Sequence, residues 1–174
     1  MKKAIALISA LMMAVCSFTA CGKDEDNSSK DSDKEIVDLA VANSTASSIS
    51  KAFMSSVIDM DVEGVYTKGL YIFSSDSGKV ILEDESADSL GGNAEEVYKD
   101  AEKYFERLNE NEYFAVCING SCIYAAVETD GVIGTFPSGQ IVSKYEGGSC
   151  DFEKFDTKGA DLDEVYDKCM EALG

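Results

Sequence analysis

Apolar residues recur at Leu39, Ala42, Ala46, Ile49, Phe53, Val57 and Met60 in steps of three and four, the spacing of one face of an α-helix. The stretch from Glu35 to about Asp59 is therefore expected to form one long amphipathic helix. Its other face is mostly Ser, Thr and Asn between Asn43 and Ser56, with Lys51 the only charge between Asp38 and Asp59. A helix covered by its own domain accounts for such a face. So does a contact surface for a partner, which small uncharged side chains permit.

The pattern then changes period. Val65 to Ser74 is rich in β-forming residues and reads as a strand, with Gly69 marking a kink, and Lys79 to Leu82 suggests a short second strand before an acidic loop from Glu83 to Gly92. A second helix is expected from Asn93, with Glu96 completing a capping-box pair and Val97, Ala101, Tyr104, Phe105 and Leu108 on its buried stripe. Two apolar runs follow, Tyr113–Ile118 and Ser121–Val127, joined by Asn119-Gly120, a pair suited to a type I′ hairpin turn because both residues accept positive φ. Asp130-Gly131 introduces another hairpin into Val132–Phe136, so three consecutive antiparallel strands make a meander, and Ile141–Tyr145 is expected to add a fourth. A last helix, capped by Asp161, buries Leu162, Val165, Tyr166, Cys169 and Leu173. The fold class is α+β: a long N-terminal helix packed on an antiparallel β-meander, with a second helix and a C-terminal helix.

Upstream of this pattern the chain has a different character. Met1-Lys2-Lys3 is a basic start, Ala4 to Val15 an apolar run too short for a comfortable membrane span, and small residues follow, which together make a secretory signal. Phe18-Thr19-Ala20-Cys21 resembles the lipobox of bacterial lipoproteins, with Phe18 where Leu is usual. That resemblance implies cleavage before Cys21 and lipid on its thiol. Residues 1–20 are then the signal peptide, and residues 21–34 a lipidated Cys and an acidic tether with no large apolar residue to pack. Residues 35–174 form a single extracytoplasmic domain on a membrane-anchored chain.

Composition narrows the function. The chain of 174 residues has 33 acidic and 15 basic side chains, no His and no Trp. Removal of Lys2 and Lys3 with the signal leaves 13 basic against 33 acidic residues, a charge of −20. Such a chain is repelled by nucleic acid and by anionic lipid outside its anchor. Without His, the Ser-His-Asp and Cys-His mechanisms and the imidazole zinc sites are excluded. A carboxylate-based hydrolase needs only two acids, but nothing along the chain distinguishes such a pair. A non-catalytic binding or assembly role is expected, with no cofactor, and with a protein or a cell-surface glycan as partner.

Two smaller signals carry chemistry. Asp59, Asp61, Glu63 and Gly64 match the first half of a calcium loop, but the twelfth position is Leu70 where a bidentate Glu belongs. Weak calcium binding with help from Glu83 to Glu85 is one reading, and a solvated helix exit is the other. Of six Cys, Cys16 leaves with the signal and Cys21 takes lipid. In the Asn119-Gly120 hairpin, Cys117 faces Cys122 at a non-hydrogen-bonded position, close enough for a disulfide. Cys150 and Cys169 then remain as the second pair, and an exported domain favours oxidation.

The order of long helix and exit from Ala42-Asn43-Ser44 to Asp61-Val62-Glu63-Gly64, the Asn119-Gly120 meander, and Cys150 with Cys169 is similar to the globular half of type IV pilins and pseudopilins. The resemblance covers most of residues 35–174. It does not extend to the processed apolar helix through which such proteins enter a filament, because a lipoprotein signal stands there.

Overall fold

The computed structural model describes residues 27–174, with side chains from Asp33 onward. The elements are α1 (Asn27–Val62), β1 (Leu70–Ser74), β2 (Ile81–Leu82), α2 (Ala94–Tyr104), β3 (Glu112–Ile118), β4 (Ser121–Thr129), β5 (Val132–Phe136), β6 (Gln140–Glu146), β7 (Ser149–Lys154) and α3 (Leu162–Leu173). The α+β class is as expected. β1 to β5 form one antiparallel sheet in the order β2-β1-β3-β4-β5, and β6 pairs with β7 in a separate hairpin.

Both faces of the five-stranded sheet are covered. Ala46, Ile49, Phe53, Val57 and Met60 of α1, with Val97 and Ala101 of α2, pack on Tyr71, Phe73, Tyr113, Ala115 and Val127. On the opposite face, Val165, Tyr166, Cys169 and Leu173 of α3, with Ile141 and Val142 of β6, pack on Ile72, Phe114, Val116, Tyr124 and Ala126. Burial on two sides is why β3 and β4 read as nearly continuous apolar runs. The first core is centred on Phe53, whose ring stacks on Phe73 at 5.2 Å and meets Tyr98 and Tyr113 at 5.8 Å. Aromatic pairs of this kind contribute about 0.5–1.5 kcal/mol each beyond their buried area.

The turns follow their sequence signals. Asn119 and Gly120 have φ of 51° and 85°, and Asp130 and Gly131 of 53° and 76°, so both hairpins close through residues in the left-handed region. Cys117 pairs with Cys122 in register, and Val116 then pairs with Tyr124, leaving Ile123 as a bulge. The extra residue sends Ile123 and Tyr124 to the same side of the sheet, toward α3. Asp161 caps α3 by accepting from the Glu164 amide at 2.7 Å.

Several elements differ from expectation. Residues 141–145 do not extend the meander: β6 turns back through Gly147-Gly148, both at positive φ, and pairs with β7 instead. A Gly-Gly turn between two short β-forming runs is itself a hairpin signal. The strand expected from Val65 starts only at Leu70, because Tyr66 is used elsewhere: its amide donates to Asp88 O and its carbonyl accepts from the Leu90 amide, fastening the acidic loop. Asn93 precedes α2 but does not cap it. Its Nδ2 donates to Ala87 O and Ser89 O, both at 2.8 Å, closing the same loop. Tyr104 is exposed rather than buried, its hydroxyl bonded to Asp59. α1 begins at Asn27, so 27–34, expected as the end of the tether, are helical. Lengthening a helix already held by packing avoids the cost of nucleation, and polar residues suffice for it.

Three contacts hold the sheet's margins. α1 crosses β5 with so little clearance that only Gly fits at 134: a Cβ there would lie 2.1 Å from Ala42 C and 2.5 Å from Asn43 N. At the crossing, the Thr135 amide donates to Asn43 Oδ1 at 2.9 Å, so a side chain of α1 occupies a donor on the edge strand. At the far side, where β2 is only two residues long, the Tyr98 hydroxyl accepts from the Ser74 amide and donates to the Ser74 carbonyl, each at 3.0 Å.

Candidate functional site

The four cysteines of the domain are free thiols and are not at bonding distance, so the two expected disulfides are absent from the structure. The partners expected are nonetheless neighbours. Cys117 and Cys122 face each other across the β3–β4 hairpin, and the Cys122 thiol is directed to the Tyr124 carbonyl at 3.6 Å. Contact with Cys122, followed by burial, pushes the Cys117 thiol well above its ordinary range. Cys150 on β7 and Cys169 on α3 belong to the second core. Burial pushes Cys150 up to about 11 and Cys169 up to about 12. Thiols in this state are protonated at neutral pH and are poor nucleophiles.

The acidic residues at the end of α1 diverge. Asp59 accepts from the Tyr104 hydroxyl on α2, whereas Asp61 accepts from Thr67 Oγ1 at 3.1 Å on the other flank of the helix, and Glu63 is exposed. Among the described residues no group of three or more acidic or cysteine side chains is placed to hold a metal ion. The acidic loop is tied down independently: Glu83 accepts from the Leu70 amide, and Ser89 Oγ donates to Asp84 O and Ser86 O. A Cβ at Gly91 or Gly92 would collide with the backbone of Asp84 or Ser86, which explains the glycine pair.

The Ser-rich face of α1 is partly consumed by the fold. Ser50 Oγ donates to Cys122 O at 3.4 Å, and Ser56 Oγ to Val97 O at 2.8 Å, both fully buried. Ser44 and Lys51 remain exposed, while Ser47, Ser48 and Ser55 are half-buried.

A groove of about 440 Å³ opens between the start of β3, the end of β1 and the first turn of α3. Ser74, Ser75, Asn109 and Asn111 supply polar groups and Tyr166 an aromatic wall. Tyr166 is fixed by its hydroxyl, which donates to the Lys79 carbonyl at 2.6 Å, and the Lys79 ammonium lies 5.3 Å from its ring centroid. Lys79 is also paired with Asp163. Asp76 accepts from the Gly78 amide at 2.9 Å, so two of the groove's carboxylates are engaged in structural contacts. No single sequence segment marks this groove, because it is assembled from three. The volume falls within the range of small-ligand sites, roughly 300–1,000 Å³.

Cys21 and the expected signal peptide lie outside the described residues. Among the described residues no helix is long and apolar enough to cross a membrane. Comparison with known protein families, with curated proteins and with solved structures gave no match in any of the three.

Proposed function

We propose that the chain is an extracytoplasmic lipoprotein, held on a membrane by lipid at Cys21 and acting as a non-catalytic binding or assembly module. The observation that carries this reading is the succession of Lys2-Lys3, the apolar run to Val15, and Phe18-Thr19-Ala20-Cys21. Two or three acyl chains, at about 0.8 kcal/mol per buried methylene, hold a protein on a bilayer without a spanning helix. The acidity of the chain keeps its domain off anionic headgroups. A pilin-like cast is part of the reading, supported by the order of a long helix laid on an antiparallel meander. On export, Cys117 with Cys122 and Cys150 with Cys169 are taken to oxidise as pairs.

The direct test is membrane fractionation of the full chain and its Cys21→Ala variant. The parent is expected in the membrane fraction and the variant outside it; equal distribution of the two contradicts the anchor.

The groove beside Tyr166 favours a second reading, a module directed at cell-surface glycans. Its serine and asparagine side chains are the chemistry that binds sugar hydroxyls, while the Tyr166 ring, buried against Phe114, only walls the groove. Screening the protein against envelope glycans, with Asn111→Ala as control, tests it; equal retention of both proteins counts against the groove.

A further inference from the structure

α1 carries apolar residues on two opposite sides, and only one is used by the core. On the outer side Val37 and Val41 at one end, and Ile58 and Val62 at the other, are 59%, 50%, 50% and 81% exposed. They belong to one row. From Val37 to Val62, through 44, 48, 51 and 55, the steps alternate strictly between four and three, the 3.5-residue repeat of a coiled-coil seam.

The row is also close to a palindrome. Laid against an antiparallel copy of itself, Val37 faces Val62, Val41 faces Ile58, Ser44 faces Ser55, and Ser48 faces Lys51. Branched apolar side chains meet at both ends, and serine hydroxyls with the two Lys51 side chains occupy the middle. A two-fold interface requires this self-complementarity, because each surface must match itself reversed. A parallel pairing sets Lys51 level with Lys51, whereas the antiparallel one places each Lys51 against Ser48 and offsets the two lysines by about 4.5 Å along the seam. We propose that α1 is the interface of an antiparallel homodimer, formed through its outer row between two copies of this chain on one membrane.

The seam is about 39 Å long at 1.5 Å per residue and about 10 Å wide, which buries roughly 800 Å² over both copies. Stable complexes in solution need more than about 1,200 Å², so this contact is weak when the protein is dilute. Confinement to a bilayer raises the effective concentration and supplies what the area lacks. Asp38 and Asp59 flank the seam and approach their counterparts in the other copy, so pairing strengthens as salt is raised.

This inference takes its setting, but not its contacts, from the lipoprotein reading. The test uses two full-length chains with different tags, expressed together, one with Val41→Cys and the other with Ile58→Cys, and oxidised in the membrane. A mixed-tag dimer on a non-reducing gel is expected, at least five-fold above the level from either variant alone or from the parent, whose own cysteines provide the background. Adding Val37→Asp and Val62→Asp to both chains is expected to abolish it with the circular dichroism spectrum unchanged. No mixed dimer, or equally strong cross-linking of the Val41→Cys chain with itself, overturns the antiparallel pair. Chains that remain lipidated but fail to cross-link overturn the pairing alone, and chains that cross-link without lipid overturn the anchor alone.

Discussion

Replacing Gly134 by Ala tests how α1 is held on the sheet. The added Cβ would sit 2.1 Å from Ala42 C and 2.3 Å from Ala42 O, against ordinary contact of 3.4 Å, so the helix must retreat by about 1.3 Å. The atoms in the way are backbone and cannot rotate aside. Overpacking of this kind costs about 1–3 kcal/mol. Retreat also stretches the Asn43–Thr135 hydrogen bond, whose loss is worth about 1 kcal/mol, while the smaller entropy of the unfolded Ala chain returns about 0.4–1 kcal/mol. The net expectation is a loss of about 2 kcal/mol, or about 7 °C in Tm for a domain of this size. Urea unfolding followed by circular dichroism reads the loss directly. Asn43→Ala alone is expected to cost about 1 kcal/mol, and much less in the Gly134→Ala background, since the bond it removes is already broken. A Gly134→Ala protein within about 0.5 kcal/mol of the parent, the range of an ordinary surface substitution, would refute the close crossing.

Two further outcomes follow from the same structure. Tyr98→Phe removes both hydrogen bonds that the Tyr98 hydroxyl makes to Ser74 and is expected to destabilise the domain by about 1–3 kcal/mol, measurable by the same unfolding curves. Cys150 and Cys169 have raised pKa values in the fold, so their protonated forms contribute stability that is complete below their unfolded pKa near 9 and is lost as pH rises toward about 11 and about 12. The reduced protein should therefore lose stability over that alkaline window, and protein in which peptide mapping finds Cys117–Cys122 and Cys150–Cys169 should lose less of it; identical alkaline profiles would refute the thiol contribution.

What was legible in the sequence was local. The spacing of Leu39, Ala42, Ala46, Ile49, Phe53, Val57 and Met60 identifies the core face of α1, and all but Leu39, which lies before the sheet begins to cover the helix and is 37% exposed, are fully buried. Asn119-Gly120 and Asp130-Gly131 place two turns and the register that sets Cys117 opposite Cys122. What was missed depends on distant segments meeting. Gly134 looks like a strand glycine until α1 is laid across it, and Asn93 looks like a helix cap until the acidic loop offers it two carbonyls. Tyr104 fits a helical stripe, yet it lies at the end of α2, where Asp59 takes its hydroxyl and no core covers its ring. The groove beside Tyr166 had no local signature. The outer row of α1 does have one, a second three-and-four repeat, but its four central positions are Ser and Lys, so the fully apolar core repeat of the same helix dominates the pattern.

The proposed lipid anchor is decided at the amino terminus of the mature protein. Intact-mass and amino-terminal peptide analysis of the membrane-extracted chain should find it beginning at Cys21 with acyl groups on that residue. A mature protein that retains an unmodified Met1, or one cleaved elsewhere with a free Cys21 thiol, would contradict it.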